Sequence, residues 1–243
     1  MAVALAGALT LLASSPAVTA QEPDMAATAA AATASLAVTP LRVELPAGAT
    51  AETVQVQNST DAPMAVQIRL FAWTQQNGED VYAPSSDLLI SPSIVSIPAR
   101  QTQLVRVLRK SGAGVGEKRY RLVVDQLPDP AKARPGVAQT RVRFAIPVFV
   151  DRDKAAPAAF AWRVSQGRLE LSNTGGASAR VVQIAVTRRD GSLVSVDENA
   201  LRYVHGGSRI AWPIAGGCAF GPLRVSAQID GQTVDAEPVP ACG

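Results

Sequence analysis

The chain holds one histidine in 243 residues, two cysteines and only 5% aromatic residues. Each scarcity excludes something. His205, beside Gly206-Gly207, is the one imidazole any catalytic triad could use, and no G-x-S-x-G turn presents a nucleophile to it. It reads as a solvated turn residue. There is no H-E-x-x-H, no P-loop and no G-x-G-x-x-G after a strand. The "GAGVG" of residues 112–116 is followed by no helix whose N-terminus could face a phosphate, and reads as a hairpin loop. Cys218 and Cys242 fit no zinc spacing, so neither metal nor cofactor is expected. Net charge is small as well: 23 Lys and Arg against 20 Asp and Glu is too mild a balance to argue for nucleic acid. The acidic pairs Glu79-Asp80 and Asp197-Glu198 lie in polar, turn-like stretches and read as solvated. No enzyme emerges from these residues.

Long apolar runs are also missing. The first twenty residues, "MAVALAGALTLLASSPAVTA", are uncharged and end in the small residues Val18-Thr19-Ala20. They read as a secretory signal peptide, residues 1–20, with a second cleavage option after Ala34. No Lys or Arg follows Met1, a departure from the usual pattern. Ser14, Ser15 and Pro16 interrupt the run well short of the ~20 residues a membrane span needs, so no direct membrane insertion is expected. In an exported chain Cys218 and Cys242 read as a disulfide stapling a terminal strand to its neighbour.

What the sequence has in quantity is short alternating runs. "LAVTPLRVEL", "ETVQVQN", "MAVQIRLFAW", "QTQLVRVL", "KRYRLVVDQL" and "TRVRFAIPVFV" are rich in Val, Ile, Leu or aromatics and bounded by Pro, Gly, Asn or Asp. About seven such strands fit between residues 35 and 150, the pattern of an antiparallel sandwich. The stretch "DRDKAAPAAF" reads as a linker. "AFAWRVS", "RLELSN", "ARVVQIAVT", "SRIAWPI" and "LRVSAQID" then repeat the pattern. The expected architecture is all-β, two sandwich domains in tandem: residues 35–151, a linker over 152–159, and residues 160–243. Residues 36–150 carry thirteen Lys and Arg against nine Asp and Glu, many of the basic ones on the last strands of the first domain.

"VRFAIPVFVDRD" (residues 142–153) stands out among these runs. Val142, Phe144, Ile146, Val148 and Val150 alternate as one face of a strand. Pro147 lies inside it, and proline belongs at an edge or a bulge. A bulge there would change which side chains share a face.

The first domain resembles the periplasmic chaperones of the chaperone–usher pathway of pilus assembly. The resemblance runs through "VTPLRVELPAG", "VQVQNSTDAPMAVQIRLFAW", "ISPSIVSIPARQTQLVRV", "YRLVVDQLP" and "RVRFAIPVFV". It is carried by the order of Asn58, Pro63, Trp73, Pro92, Pro98, Arg106, Tyr120, Arg121 and Pro128, and covers residues 36–150. The "IPVFV" ending is similar to the spore-coat-U-like, or archaic, branch. The second domain matches only as a short sandwich with a late cysteine pair. The resemblance implies two immunoglobulin-like domains at an angle, with a cleft between them. It also implies donor-strand complementation, in which the last strand of the first domain fills the open groove of an incomplete pilus subunit.

On that reading Val142, Phe144 and Ile146 are donor residues. Each apolar side chain of this size contributes roughly 1.5–3 kcal/mol when buried. Val148 and Val150 bury in their own domain. The subunit's C-terminal carboxylate is gripped by basic side chains in the cleft. Arg42 matches the family's first-strand arginine, and the family's late-strand lysine has no counterpart among Ala145, Ile146 and Pro147. Arg121, Arg141 and Arg143 are the nearest replacements, since a guanidinium offers a planar, permanently charged fork. The implied partners are pilus or fimbrial subunits and an outer-membrane usher, with a self-capping dimer as a further expectation; the implied compartment is the periplasm. Two readings compete: a secreted structural or adhesive protein of two immunoglobulin-like domains, and an exported hydrolase with an unfamiliar site.

Overall fold

The computed structural model describes residues 35–132, 136, 140–197 and 199–242. The expected signal peptide lies outside the described residues. Among those residues no helix is long and apolar enough to cross a membrane.

The protein is two immunoglobulin-like β-sandwiches in tandem. One sheet of the first consists of β1 (Leu36–Thr39), β3 (Ala51–Asn58), β8 (Thr102–Arg109) and β6 (Leu88–Ser91), in that spatial order. The facing sheet runs β2 (Val43–Leu45), β10 (Arg143–Val150), β9 (Lys118–Gln126), β4 (Met64–Gln76) and β5 (Glu79–Pro84), with β7 (Ile94–Ile97) also on β4. The expected alternation is present: Val54 and Val56 on β3, Val66, Ile68 and Leu70 on β4, and Leu122 and Val124 on β9 all point into one core. β-branched side chains at period two suit a pleated surface buried on one face.

The first run departs from expectation. "LAVTPLRVEL" is not one strand: β1 pairs with β3 in one sheet, and β2 pairs in parallel with β10 in the other. Pro40 provides no N–H to continue the ladder, so the chain changes sheets there. Residues 110–117 join β8 in one sheet to β9 in the other, so "GAGVG" is a crossover and not a hairpin loop.

The second sandwich packs β16 (Arg209–Pro213), β12 (Arg168–Asn173), β11 (Phe160–Ser165) and β19 (Val239–Pro240) against β14 (Leu193–Val194), β13 (Ala179–Arg188), β17 (Leu223–Ile229) and β18 (Gln232–Ala236). β15 (Arg202–Val204) joins β13. Trp162 and Trp212 stack at 6.1 Å within its core. Cys218 and Cys242 are joined as a disulfide, their Cα atoms 6.2 Å apart, which ties the last strand to the turn before β17. Two buried asparagines brace the sandwiches in the same manner. Asn58 donates to the carbonyls of Ala62, Ile97 and Pro98, and Asn173 donates to those of Ala177 and Val204.

Candidate functional site: a free sheet edge beside a basic seam

β10 pairs with β9 along its whole length, from Arg143 opposite Asp125 to Val150 opposite Lys118, with no bulge at Pro147. On its other flank β2 covers only Val148, Phe149 and Val150. Among the described residues no strand pairs with the outer flank of residues 143–147. The phase of the ladder follows from two bonds: Gln126 N–H donates to Val142 O, and Asp151 N–H donates to Leu45 O. Even-numbered residues of β10 therefore turn their amides toward β9, and odd-numbered ones turn theirs away. The N–H that Pro147 lacks belongs to the free flank, so the proline costs the sheet no internal hydrogen bond.

The side chains follow the same parity. Val142, Phe144 and Ile146 all face the core of the first sandwich, but they are not equivalent. Val142 lies just before β10 and is partly buried, as is Phe144, whereas Ile146 is 2% exposed and belongs to the core. The expectation that Ile146 is available to another protein is corrected: it already fills its own domain, as do Val148 and Val150.

The opposite, odd-numbered face is basic and aromatic. Phe149 on β10, Trp73 on β4 and Tyr203 on β15 form a buried cluster across the two sandwiches. Trp73 lies 6.2 Å from Phe149 and 5.3 Å from Tyr203. Arg121 lies over Trp73, 3.6 Å from guanidinium carbon to ring centre, and Arg42 lies over Phe149 at 4.8 Å. Arg121 also lines a cavity of about 420 Å³ with Arg69, Phe71, Tyr82, Arg143 and Ala145. Its Nε is buried without a hydrogen-bond partner.

The four expected arginines are spread along this face, with Arg121 and Arg143 lining the same cavity. Arg42 and Arg121 share the aromatic seam. Arg42 is already committed to Glu44 on its own side and to Asp230, 3.6 Å away, on the second sandwich. Arg143 pairs with Asp125, which also holds Arg69 at 2.5 Å. Burial alone would raise the Asp125 carboxyl; hydrogen bonds from Arg143 and Arg69 outweigh it and hold it below its usual range. Arg121 opposes Pro147, four residues along the strand from Arg143, or about 13 Å. Arg141 is exposed near Arg143.

Several residues of the seam escaped the sequence. Glu117, with a fully buried side chain, accepts from Arg152 Nη1 at 2.6 Å, Arg119 Nε at 2.8 Å and Ser178 N–H at 2.9 Å. Burial would raise its carboxyl; the bonds from Ser178, Arg119 and Arg152 prevail and keep it below the usual range. Arg109 and Asp151 form a second buried pair at 2.8 Å where β10 leaves the sandwich. His205 is not a solvated turn residue: it is 1% exposed and meets Trp73 edge-on at 4.2 Å. Asp80 is not simply solvated either. It accepts from Gln75 Nε2 and from the Tyr82 hydroxyl, both at 2.9 Å. The alternation of Arg119 and Arg121 was the available signal, because period two puts both on one face of β9.

Two tandem sandwiches with an unpaired edge beside a basic, aromatic seam define a class, a strand-presenting β-sandwich protein. Residues 35–155 match the family described as pili and flagellar-assembly chaperone, PapD N-terminal domain. Through this N-terminal sandwich the chain belongs to the PapD-like pilus-assembly chaperone family.

Solved structures agree on the fold. A chain of the CsuC–CsuE chaperone–tip adhesion subunit complex from the archaic chaperone–usher Csu pili of Acinetobacter baumannii is 23% identical, with 85% of this chain and 99% of that one covered and a TM-score of 0.67. The E. coli chaperone DraB is 21% identical over 84% of this chain and 95% of its own, TM-score 0.59. The Salmonella enterica SafA pilin–SafB chaperone complex matches at 18% identity over 84% and 96%, TM-score 0.58. A comparison with curated proteins found no significant sequence match.

Proposed function

We propose that this protein is a periplasmic chaperone that binds pilus or fimbrial subunits by donating the free flank of β10, then passes them to an outer-membrane usher. The single observation that carries the reading is the unpaired outer flank of residues 143–147, ending beside Arg121. A strand added there would draw hydrogen bonds from the odd-numbered residues, while Val142 and Phe144 offer their half-buried apolar surface to the guest's groove. Ile146 underlies them as fixed core. We assign the guest's C-terminal carboxylate first to Arg121, whose guanidinium has unused donor capacity, and then to Arg42. Arg141 and Arg143 would meet the guest at the other end of the strand.

This function needs no catalysis and no nucleotide: the energy is that of strand pairing and apolar burial. The same open edge supports a self-capping dimer when no guest is bound, since an exposed edge pairs readily with a second copy. The related SafB chaperone is described in complex with a pilin and a further relative as a periplasmic chaperone, which supports the compartment and the type of partner.

Co-expression with a pilus subunit encoded beside this protein tests the proposal. Soluble subunit should be recovered with the unaltered chain and lost with Phe144→Asp or Arg121→Ala, each checked for folding by urea denaturation. Equal recovery of soluble subunit without the chain would overturn it.

A further inference from the structure

Arg121 has a resident competitor. Asp80, near the start of β5, places Oδ2 3.8 Å from Arg121 Nη2. That distance is beyond a hydrogen bond, so the two charges attract without saturating each other. Asp80 is instead held by neutral donors: the Tyr82 hydroxyl on Oδ2 and Gln75 Nε2 on Oδ1, each at 2.9 Å. The same Gln75 Nε2 donates to Tyr203 O at 2.7 Å, and Gln75 Oε1 accepts from His205 N–H at 2.9 Å. The β4–β5 hairpin is thus fastened to the second sandwich, which fixes Asp80 a short distance from the guanidinium. Arg121 itself is confined, because it lies over Trp73 with its side chain 14% exposed.

We propose that Asp80 is a specificity-setting residue: a built-in carboxylate that weakens the hold of Arg121 on a guest's C-terminal carboxylate and so favours release. The inference rests on the reading of Arg121 as the anchor. A second carboxylate drawing hydrogen bonds from Arg121 must sit within several ångströms of Asp80, and like charges at that range in a partly buried site repel. A chaperone that must hand its guest onward benefits from a grip that is selective for carboxylate without being tight. Tyr82 and Gln75 hold Asp80 in place, each donating one hydrogen bond to it.

The test uses the full chain and a fluorescein-labelled twelve-residue peptide of alternating valine and threonine, prepared with a free C-terminal carboxylate and as the C-terminal amide. Fluorescence anisotropy gives the acid-to-amide affinity ratio, which a merely structural role of Asp80 would not move. Asp80→Asn should raise that ratio about tenfold, the size expected from removing one nearby like charge in a partly exposed site. An acid preference that is lost in Arg121→Gln yet unchanged or lowered in Asp80→Asn would overturn the role of Asp80 and leave the anchor standing. No acid preference in the unaltered chain, or one that survives Arg121→Gln, would overturn the anchor and the competitor together.

Discussion

His205 shows how far a single residue can depart from its local sequence. Beside two glycines it reads as a turn, yet its ring is buried against Trp73 and neither ring nitrogen has a hydrogen-bond partner. Burial first, then the nearby positive charge of Arg119, pushes its pKa down to about 3. The folded state therefore stays neutral at a pH where the unfolded chain, with an ordinary value near 6.5, binds a proton. Above that value the residue imposes no penalty. As pH falls from about 6.5 toward 3 the unfolded state gains protons the folded state does not, and stability declines. His205→Phe, which fills the space without titrating, should flatten that part of the stability–pH curve by roughly a few kcal/mol. Urea midpoints measured at intervals between pH 7 and pH 4 for both proteins check this, and parallel curves would refute it.

At the scale of elements, β10 divides into two halves with different duties. Its C-terminal half is sandwiched between β9 and β2, and its N-terminal half keeps one flank open. Ile146 sits where the two meet and belongs to the core, so Ile146→Ala should cost about 2–4 kcal/mol of folding stability. Pro147→Ala should leave stability nearly unchanged, because the N–H it restores points away from β9. That new donor completes the free edge, and stronger self-association is the expected result, since proline on an edge is a common guard against pairing. Sedimentation velocity at several concentrations reads the second effect and chemical denaturation the first. A large stability loss from Pro147→Ala would show that position 147 faces β9 and not the free flank.

In the whole molecule the two sandwiches are joined by the Trp73, Phe149 and Tyr203 cluster and by Glu117, which draws Arg119, Arg152 and Ser178 around one buried carboxylate. The proposed donation of an edge beside a carboxylate grip needs those two features at a fixed separation. Removing Glu117 leaves two mostly buried guanidinium groups without their common partner. Glu117→Ala should therefore cost about 3 kcal/mol and loosen the angle between the sandwiches. Small-angle scattering should show a broader range of dimensions for the variant, and an unchanged scattering profile together with unchanged stability would count against this role.

The all-β class, the tandem sandwiches and the facing set Val142, Phe144 and Ile146 were legible because period-two alternation depends only on the geometry of an extended chain. The family resemblance was legible because it needs only the order of particular residues along the chain, Asn58 and Pro63 among them. Which flank of β10 stays open, that Ile146 is core while Phe144 is half-accessible, and that Arg121 rather than Arg143 reaches the seam were not. These depend on which strands lie beside β10 and on how the second sandwich docks. Glu117 with Ser178, Gln75 with Tyr203 and Trp73 with His205 are each brought together from far apart in the chain. Local pattern dictates which face a side chain occupies; only long-range packing decides what that face meets.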